Sequence, residues 1–258
     1  MSAAPPAGFD LVGDLVGRER RSDRLALRAA ELDRTYSYFD LCNTACKAGN
    51  VLRHLGVREG DRVVVDPRPL PEPVFTFLGA ALLGAVAEFG ADIDPAGDAR
   101  AVVVPVERET EFDLPGGSSL CVFGGEPDRP DTTHWEAEVW SENPAFPPTD
   151  HDPADPALCA LDDGAARSHT ALLAAAGDAV EALGLDDDSR VAVRAPLSDP
   201  RTVAAGVIAP LVAGAAIALP SGDDPVDATG AVVADGRAVP EARTLALDAV
   251  SLPAADRP

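Results

Sequence analysis

The sequence predicts an α/β fold with two similar halves, each built around a parallel sheet. Three observations lead to this prediction. Helical and strand periodicities alternate along the chain, one strand–helix–strand pattern occurs twice, and a proline-rich stretch lies between the two copies. The 258 residues, 46% of them hydrophobic, are enough to bury a large core. We therefore predict a first half at residues 1–143, a linker at 144–156 and a second half at 157–258.

The first helix is predicted to follow Ser37. The Ser37 side chain can cap its N-terminus, and Asp40, three residues later, can complete a capping box. Apolar residues then recur at helical spacing as far as Leu55, and Gly56 is placed to end the helix. The apolar run that follows, at 62–65, favours a strand.

The segment after this helix is repeated in the second half. The letters LGVREGDRVVV at 55–65 return as LGLDDDSRVAV at 183–193, 128 residues later. Each copy follows an amphipathic helix. Each is followed by a proline, a second apolar helix and a Gly-Ala strand, at 84–89 and 214–219. Crossover connections of this kind make parallel strand pairs covered by a helix, so we expect one such unit in each half.

The charge balance excludes one class of partner. Asp and Glu total 43 against 21 Lys and Arg, a net charge of −22, and Lys47 is the sole lysine. Such an acidic surface repels nucleic acid, whose phosphates need a basic face. The composition favours a halophilic, cytoplasmic protein, because molar salt shortens the Debye length to about 3 Å and screens the repulsion. Residues 1–8 lack signal-peptide features and Pro210 breaks the apolar stretch 203–220, so neither secretion nor a membrane span is expected.

Several motifs together resemble those of a known family. Residues 34–38 read RTYSY, residues 55–63 LGVREGDRV, residues 71–80 PEPVFTFLGA and residues 155–158 DPAL. In this order and spacing they are similar to the opening of adenylate-forming enzymes, the AMP-binding or acyl-CoA-synthetase-like superfamily, over about residues 9–219. The resemblance implies the fold of the two N-terminal subdomains of acyl-CoA synthetases. It also implies that the family's adenine-binding segments and catalytic lysine would lie beyond Pro258, so no residue is predicted to be catalytic.

The resemblance places a phosphate-binding loop directly after DPAL. In the family this loop is rich in Gly, Ser and Thr and includes a lysine, and these groups hold the ATP phosphates. The matching stretch here is several residues shorter, and its positions are taken by Asp162, Asp163, Gly164 and Ser168. Two carboxylates beside a triphosphate repel it by roughly 1 kcal/mol each even in water. The alternatives are a Mg²⁺ site at Asp162 and Asp163, or a short turn in which Ser168 caps the next helix.

Three other groups of residues have two interpretations each. Cys42 and Cys46, four apart on one helix, are either half of a metal site or buried small residues. Ser168 and His169 are either a nucleophile and its base or unrelated neighbours. A further group in the linker region consists of either metal ligands or chance neighbours in an acidic loop (His134, Trp135, Glu136, Glu138, His151, Asp152). In each case the second interpretation is favoured, so no metal site is predicted.

These features favour a non-catalytic relative of acyl-CoA synthetases, a pseudoenzyme that serves as a binding or regulatory module without ATP or AMP as a cofactor. The first alternative is one subunit of a split synthetase, an ATP-dependent acid–CoA ligase that acts with a partner. The second is the remnant of a decaying gene. The apolar helices at 74–83 and 203–213 are expected to lack part of their cover. A homodimer or a protein partner is therefore predicted to bury them.

Overall fold

The computed structural model describes residues 8–90, 92, 94, 97–160 and 164–253. The strands within these ranges are β1 (Leu25–Ala29), β2 (Arg34–Ser37), β3 (Arg62–Val65), β4 (Val86–Phe89), β5 (Ala101–Pro105), β6 (Ser119–Phe123), β7 (Thr133–His134), β8 (Pro156–Cys159), β9 (Ala166–Ser168), β10 (Arg190–Arg194), β11 (Ala216–Leu219), β12 (Gly230–Val233) and β13 (Thr244–Ala246). The α-helices are α1 (Tyr38–His54), α2 (Pro71–Leu83), α3 (Trp135–Ser141), α4 (His169–Leu183), α5 (Pro200–Thr202) and α6 (Ala209–Ala213). A π-helical turn at Val203–Ile208 joins α5 to α6, and a 3₁₀ helix lies at Val12–Val16. None of the helices in the described ranges is long and apolar enough to cross a membrane.

The strands form two sheets. The first sheet has the strand order β7-β6-β5-β3-β4-β8-β9, and the second sheet has the order β13-β12-β10-β11-β1-β2. Neighbouring strands are parallel in both sheets, except in the hairpins β8–β9 and β1–β2 at one end of each, which are antiparallel. The predicted α/β fold with two similar parallel sheets is confirmed.

The repeated sequence unit forms the centre of each sheet. In the first copy β3 pairs with β4 and α2 connects them; in the second copy β10 pairs with β11 through α5 and α6. The stretch from Pro200 to Gly214 is one residue longer than the corresponding stretch from Pro71 to Gly84. One inserted residue within a helix is the usual origin of a π-helical turn, which is what the second copy contains.

Each sheet includes strands from the other half of the chain. The early strand β1 pairs with β11, and β8 pairs with β4. The segment between α3 and β8 forms no helix or strand but packs on α1. There the Asn50 side chain donates hydrogen bonds to the carbonyl oxygens of Asn143 and Ala145, at 2.9 and 3.0 Å. Sheet membership thus crosses the division at 144–156 in both directions, and a domain boundary there stays a prediction.

α1 begins as its sequence predicts. The Ser37 hydroxyl accepts a hydrogen bond from the Asp40 N–H at 3.1 Å, and the Asp40 carboxylate accepts one from the Ser37 N–H at 3.0 Å. Just after the helix, Gly56 has a φ of +86°, a left-handed conformation that is strained for residues with a side chain. α1 approaches α2 closely, with Gly49 facing Gly79.

The two helices that were predicted to be partly uncovered are buried. Val74 and Phe77 in α2 are 0% exposed, and so are Val203 and Ile208 in the second copy. α1 and the 3₁₀ helix at Val12–Val16 cover α2, and α4 covers the π-helical turn and α6. The expectation of exposed apolar faces is wrong, because segments that come earlier in the chain supply the cover. A homodimer or protein partner stays a prediction, without this argument to support it.

Candidate functional site

The position predicted for a phosphate loop is a hairpin connection between β8 and β9. The connection spans residues 160–165, and the Ala160 N–H donates to the Ala165 carbonyl oxygen at 3.1 Å. Asp162 and Asp163 lie outside the described residues. Gly164 is exposed with a φ of +60°, which glycine adopts without strain. This part of the chain therefore reverses direction within a few residues.

Ser168 ends the hairpin and begins the next helix. Its hydroxyl accepts a hydrogen bond from the Ala171 N–H at 3.2 Å, which makes Ser168 the N-cap of α4. One residue earlier, the buried Arg167 side chain donates to the Ala165 carbonyl oxygen at 2.9 Å. The alternative in which Ser168 caps the helix is confirmed. The Ser168 oxygen is thus engaged by the helix backbone.

The carboxyl-terminal end of β10 carries the most deeply buried ion pair among the described residues. The Arg194 Nε and Nη2 atoms lie 3.1 and 2.7 Å from oxygens of the Glu241 carboxylate, and the two side chains are 0% and 2% exposed. The guanidinium also donates to the carbonyl oxygens of Gly222 and Asp224, at 3.0 and 2.8 Å. One side chain therefore ties together the loops that follow β11 and β12.

This ion pair lies at the carboxyl end of β10, the edge at which ligands usually bind in open α/β sheets. Such ligands occupy a crevice beyond the carboxyl ends of the strands. Here the loops that would border the crevice bind Arg194, and Arg237 reinforces them by donating to the Arg194 carbonyl oxygen at 2.8 Å and by pairing with Asp223. The pair was not predicted. The sequence shows only that a charged residue, Arg194, ends an apolar strand. No nearby motif indicates that its partner is Glu241, 47 residues away.

A second ion pair lies on the segment after β10. Asp199 caps α5 by accepting a hydrogen bond from the Arg201 N–H at 2.9 Å, and its carboxylate lies 2.6 Å from the Arg201 guanidinium. Burial opposes ionisation of Asp199, but the hydrogen bonds from Arg201 outweigh burial and hold the pKa of Asp199 below its ordinary value. Arg201 also donates to the Leu247 carbonyl oxygen at 3.2 Å. Arg201, held in place by Asp199, thus binds the backbone of the segment that follows β13.

The structure does not join Ser168 and His169 as a nucleophile and its base. The His169 Nδ1 atom accepts a hydrogen bond from the Val12 N–H at 3.1 Å, and Nε2 has no hydrogen-bond partner among the described residues. Neutral His169 therefore carries its proton on Nε2. Burial, together with the His151 ring 5.6 Å away, lowers the pKa of His169 to about 4. His169 is thus a buried neutral side chain at ordinary pH.

The remaining predicted clusters are placed as follows. Cys42 and Cys46 are buried in α1, and burial raises the pKa of both thiols, that of Cys42 to about 12. Of the predicted group of His and acidic residues, His134 lies 3.2 Å from Glu136, whereas His151 packs on the buried histidine ring described above. In the part of the chain that the structure describes, no three His, Cys, Asp or Glu side chains converge as metal ligands.

Comparison with known sequences gives matches in the first part of the chain. Residues 17–90 match the family model described as AMP-binding enzyme. Acetyl-coenzyme A synthetase of Deinococcus radiodurans is 45% identical over 53 residues, and that of Cryptosporidium parvum is 40% identical over 53 residues. Each match covers 20% of this chain and 8% of the relative. The sequence similarity to these two enzymes is therefore confined to a short segment.

Solved structures match over most of the chain. The anthranilate CoA ligase AuaEII in complex with anthranoyl-AMP superposes with a TM-score of 0.76 and 21% identity, covering 87% of this chain and 49% of that protein. ATP-bound MatB from Rhodopseudomonas palustris superposes with a TM-score of 0.73 and 17% identity, covering 87% of this chain and 49% of that protein. The N-terminal domain of FACL13 from Mycobacterium tuberculosis superposes with a TM-score of 0.71 and 17% identity, covering 88% of this chain and 63% of that domain. The chain spans about half the length of the first two proteins.

The predicted resemblance is confirmed by these matches. The chain has the fold of the N-terminal part of adenylate-forming enzymes, and residues 17–90 carry the sequence pattern of AMP-binding enzymes. At identities of 17–21% the structural matches establish the fold and leave the reaction to be argued from the residues.

Proposed function

We propose that this chain is an acyl-CoA-synthetase-like module that does not form an adenylate by itself and that serves in binding or regulation. The fold and the match of residues 17–90 to the family model of AMP-binding enzymes support the family resemblance. Two features support the non-catalytic role. One is the Arg194–Glu241 pair at the carboxyl edge of the second sheet. The other is the composition of the short β8–β9 connection.

The Arg194–Glu241 pair is the observation that carries the proposal. A nucleotide bound at this edge would have to displace the loops that are hydrogen-bonded to Arg194. Leaving one partner of a buried ion pair without the other typically costs about 3–5 kcal/mol. Since each 1.4 kcal/mol is a factor of ten, the nucleotide would lose roughly 100-fold or more in affinity. The edge is therefore better suited to holding the fold than to exchanging ligands.

The β8–β9 connection supports the same conclusion. A phosphate-binding loop needs several N–H groups that point at one anion. Here the Ala160 N–H bonds across the hairpin, and the Ser168 hydroxyl is used by α4. The sequence also places Asp162 and Asp163 in this connection, and their negative charges repel a triphosphate. We infer that neither ATP nor AMP is a cofactor of the chain alone.

A second candidate is one subunit of a split acid–CoA ligase that acts together with a partner protein. The observation that favours it is the match of 87% of this chain to a CoA ligase in complex with anthranoyl-AMP. In that case the loops bonded to Arg194 would have to rearrange when the partner docks.

ATP–pyrophosphate exchange distinguishes the two candidates. The purified chain, in molar KCl with Mg²⁺ and a panel of carboxylic acids, is expected to give no exchange above a blank without protein. Calorimetric titrations with ATP and with AMP are expected to show no saturable heat. Exchange or nucleotide binding by the chain alone would overturn the proposal. Exchange that appears only after a second protein from the same cells is added would favour the split ligase.

The double variant Asp162→Asn/Asp163→Asn is a matched control for the connection. If negative charge alone excluded the nucleotide, this variant would gain ATP binding. Because the Arg194–Glu241 pair remains, we expect no gain. ATP binding by the variant would show that the two aspartates, and not the buried pair, are the obstacle.

A further inference from the structure

A separate cavity borders β2, the strand at one end of the second sheet, and neither Arg194 nor the β8–β9 connection is among its lining residues. It has a volume of about 490 Å³ and opens between β2, α1, the start of α2 and α3. This volume is typical of small-molecule sites, which range over about 300–1,000 Å³. Four aromatic side chains line the cavity: Tyr36, Phe75, Trp135 and Trp140.

Glu72 is the buried charged residue of this cavity. It is 5% exposed, and burial, with Glu136 adding to it, raises the pKa of its carboxyl. Its own backbone N–H partly opposes this rise in pKa, and no side chain of another described residue is hydrogen-bonded to the carboxylate. An acidic residue in the first turn of α2 also stabilises the helix N-terminus. A carboxylate has about four acceptor positions, so most of its capacity is left for another donor.

The aromatic side chains beside Glu72 are held in fixed orientations. The Trp135 Nε1 atom donates to the Thr76 hydroxyl at 3.1 Å, and that hydroxyl donates to the Glu72 carbonyl oxygen at 2.7 Å. The Phe75 ring stacks on Trp135 with centroids 6.4 Å apart and meets Tyr36 edge-on at 5.1 Å. Rigid rings of this kind offer π faces, which attract cations.

The charges around the cavity favour a positively charged ligand. Three of its charged residues are acidic and two are basic: Asp40, Glu72, Glu136, Arg34 and Lys47. Arg34 is exposed and Lys47 is half-buried, so the deeply buried charge is the Glu72 carboxylate. The net charge of −22 also raises the concentration of cations near the surface. At the edge of the cavity, Trp140 is 81% exposed, the highest value among the described large hydrophobic side chains.

We propose that this cavity binds a small primary ammonium compound that carries an aromatic or alkyl group. The Glu72 carboxylate accepts the ammonium hydrogen bonds, which are stronger than neutral ones because both groups are charged. The rings of Trp135 and Phe75 contact the apolar group, and Trp140 covers it from solvent. This site is independent of any nucleotide chemistry at the edge of the second sheet.

Tryptophan fluorescence reports on this cavity, because both tryptophans of the chain line it. Benzylammonium, benzyl alcohol and benzoate share a ring and differ in charge, so titrations at one fixed KCl concentration isolate the effect of charge. We expect a saturable change with benzylammonium and at least roughly tenfold weaker binding of the other two probes. Glu72→Gln should lower the benzylammonium affinity by at least roughly tenfold. Glu138→Gln, which changes an exposed carboxylate of α3 outside the cavity, is the matched control and should leave the affinity unchanged.

Several outcomes would overturn the proposal. They are equal affinities for benzyl alcohol and benzylammonium, an unchanged benzylammonium affinity in a folded Glu72→Gln variant, and no saturable response to benzylammonium at all. If Glu72→Gln does not fold, Trp140→Ala takes its place, since Trp140 is exposed and its loss should leave the core intact. Calorimetry with benzylammonium should then show weaker binding, and an unchanged affinity would contradict the proposed site.

Discussion

Replacing Gly79 by alanine is expected to destabilise the contact between α1 and α2. A Cβ atom at Gly79 would lie 2.5 Å from the backbone nitrogen of Gly49 and 3.0 Å from the carbonyl oxygen of Ala45. Ordinary contacts of a Cβ atom are 3.4–4 Å long. The two helices would therefore have to separate by about 1 Å. The atoms that the methyl group meets belong to a helix backbone, so they cannot rotate away from it.

The size of the effect follows from two opposing contributions. Overpacking a core typically costs about 1–3 kcal/mol, and contact with backbone atoms places Gly79→Ala near the upper end. The higher helix propensity of alanine offsets about 1 kcal/mol. We expect a net loss of about 2 kcal/mol in the free energy of unfolding. For a chain of this length that loss lowers Tm by about 4–8 °C.

Gly206→Ala is the matched control for this prediction. Gly206 is a buried glycine of the π-helical turn, and a Cβ atom there would meet a methyl group of Val193 at 3.2 Å. Because a side chain can shift by a few tenths of an ångström, this contact costs little, while the higher helix propensity of alanine contributes about 1 kcal/mol. The free energy of unfolding should therefore stay the same or rise by up to about 1 kcal/mol. Urea unfolding in molar KCl, followed by circular dichroism, measures both variants. Equal stability of the two variants would refute the packing argument, since both exchange glycine for alanine in a helix.

Three further predictions follow from buried groups and charge. The free energy of unfolding should fall by up to about 3 kcal/mol as the pH drops from 6.5 to about 4, because unfolded His169 binds a proton in that range and folded His169 does not. His169→Gln keeps an acceptor for the Val12 N–H and should flatten this part of the plot of Tm against pH. An unchanged plot in the variant would contradict the prediction. Arg194→Met should lower the free energy of unfolding by about 3–5 kcal/mol in urea titrations, and the double variant Arg194→Met/Glu241→Leu should recover most of the loss. If the double variant is as unstable as Arg194→Met, the unpaired charge of Glu241 is not the cause of the instability. Finally, Tm should rise from dilute buffer to molar KCl because salt screens the net charge of −22, and a flat dependence would contradict the halophilic interpretation.

The parts of the fold that could be predicted have signals within a short stretch of sequence. The start of α1 depends on a capping box between Ser37 and Asp40, and its apolar stripe is contained in one helix. The two parallel units could be predicted because a similar pattern, LG followed six residues later by RV, occurs at 55–65 and 183–193. Ser168 as a helix cap is equally local.

The parts that were missed depend on contacts between distant segments. No local pattern states that β1 pairs with β11, or that Arg194 binds Glu241. The cover of α2 and α6 was misjudged for the same reason, because sequence periodicity shows which face is apolar but not which segment lies on it. The cavity around Glu72 was not predicted, since its residues come from β2, α1, α2, α3 and the chain just after α3, with no shared motif.

The pairing of β1 with β11 has a consequence for synthesis of the protein. Leu27 lies opposite Ile217, so β1 leaves the ribosome 190 residues before its parallel neighbour. At about 5–20 residues per second, the interval is roughly 10–40 s. During that time β2 can protect one side of β1 through the antiparallel hairpin, while the other side has unpaired backbone groups. Nascent chains that stop before Leu219 are therefore expected to associate with one another or to occupy chaperones, whereas chains that continue past it can pair β1 with β11.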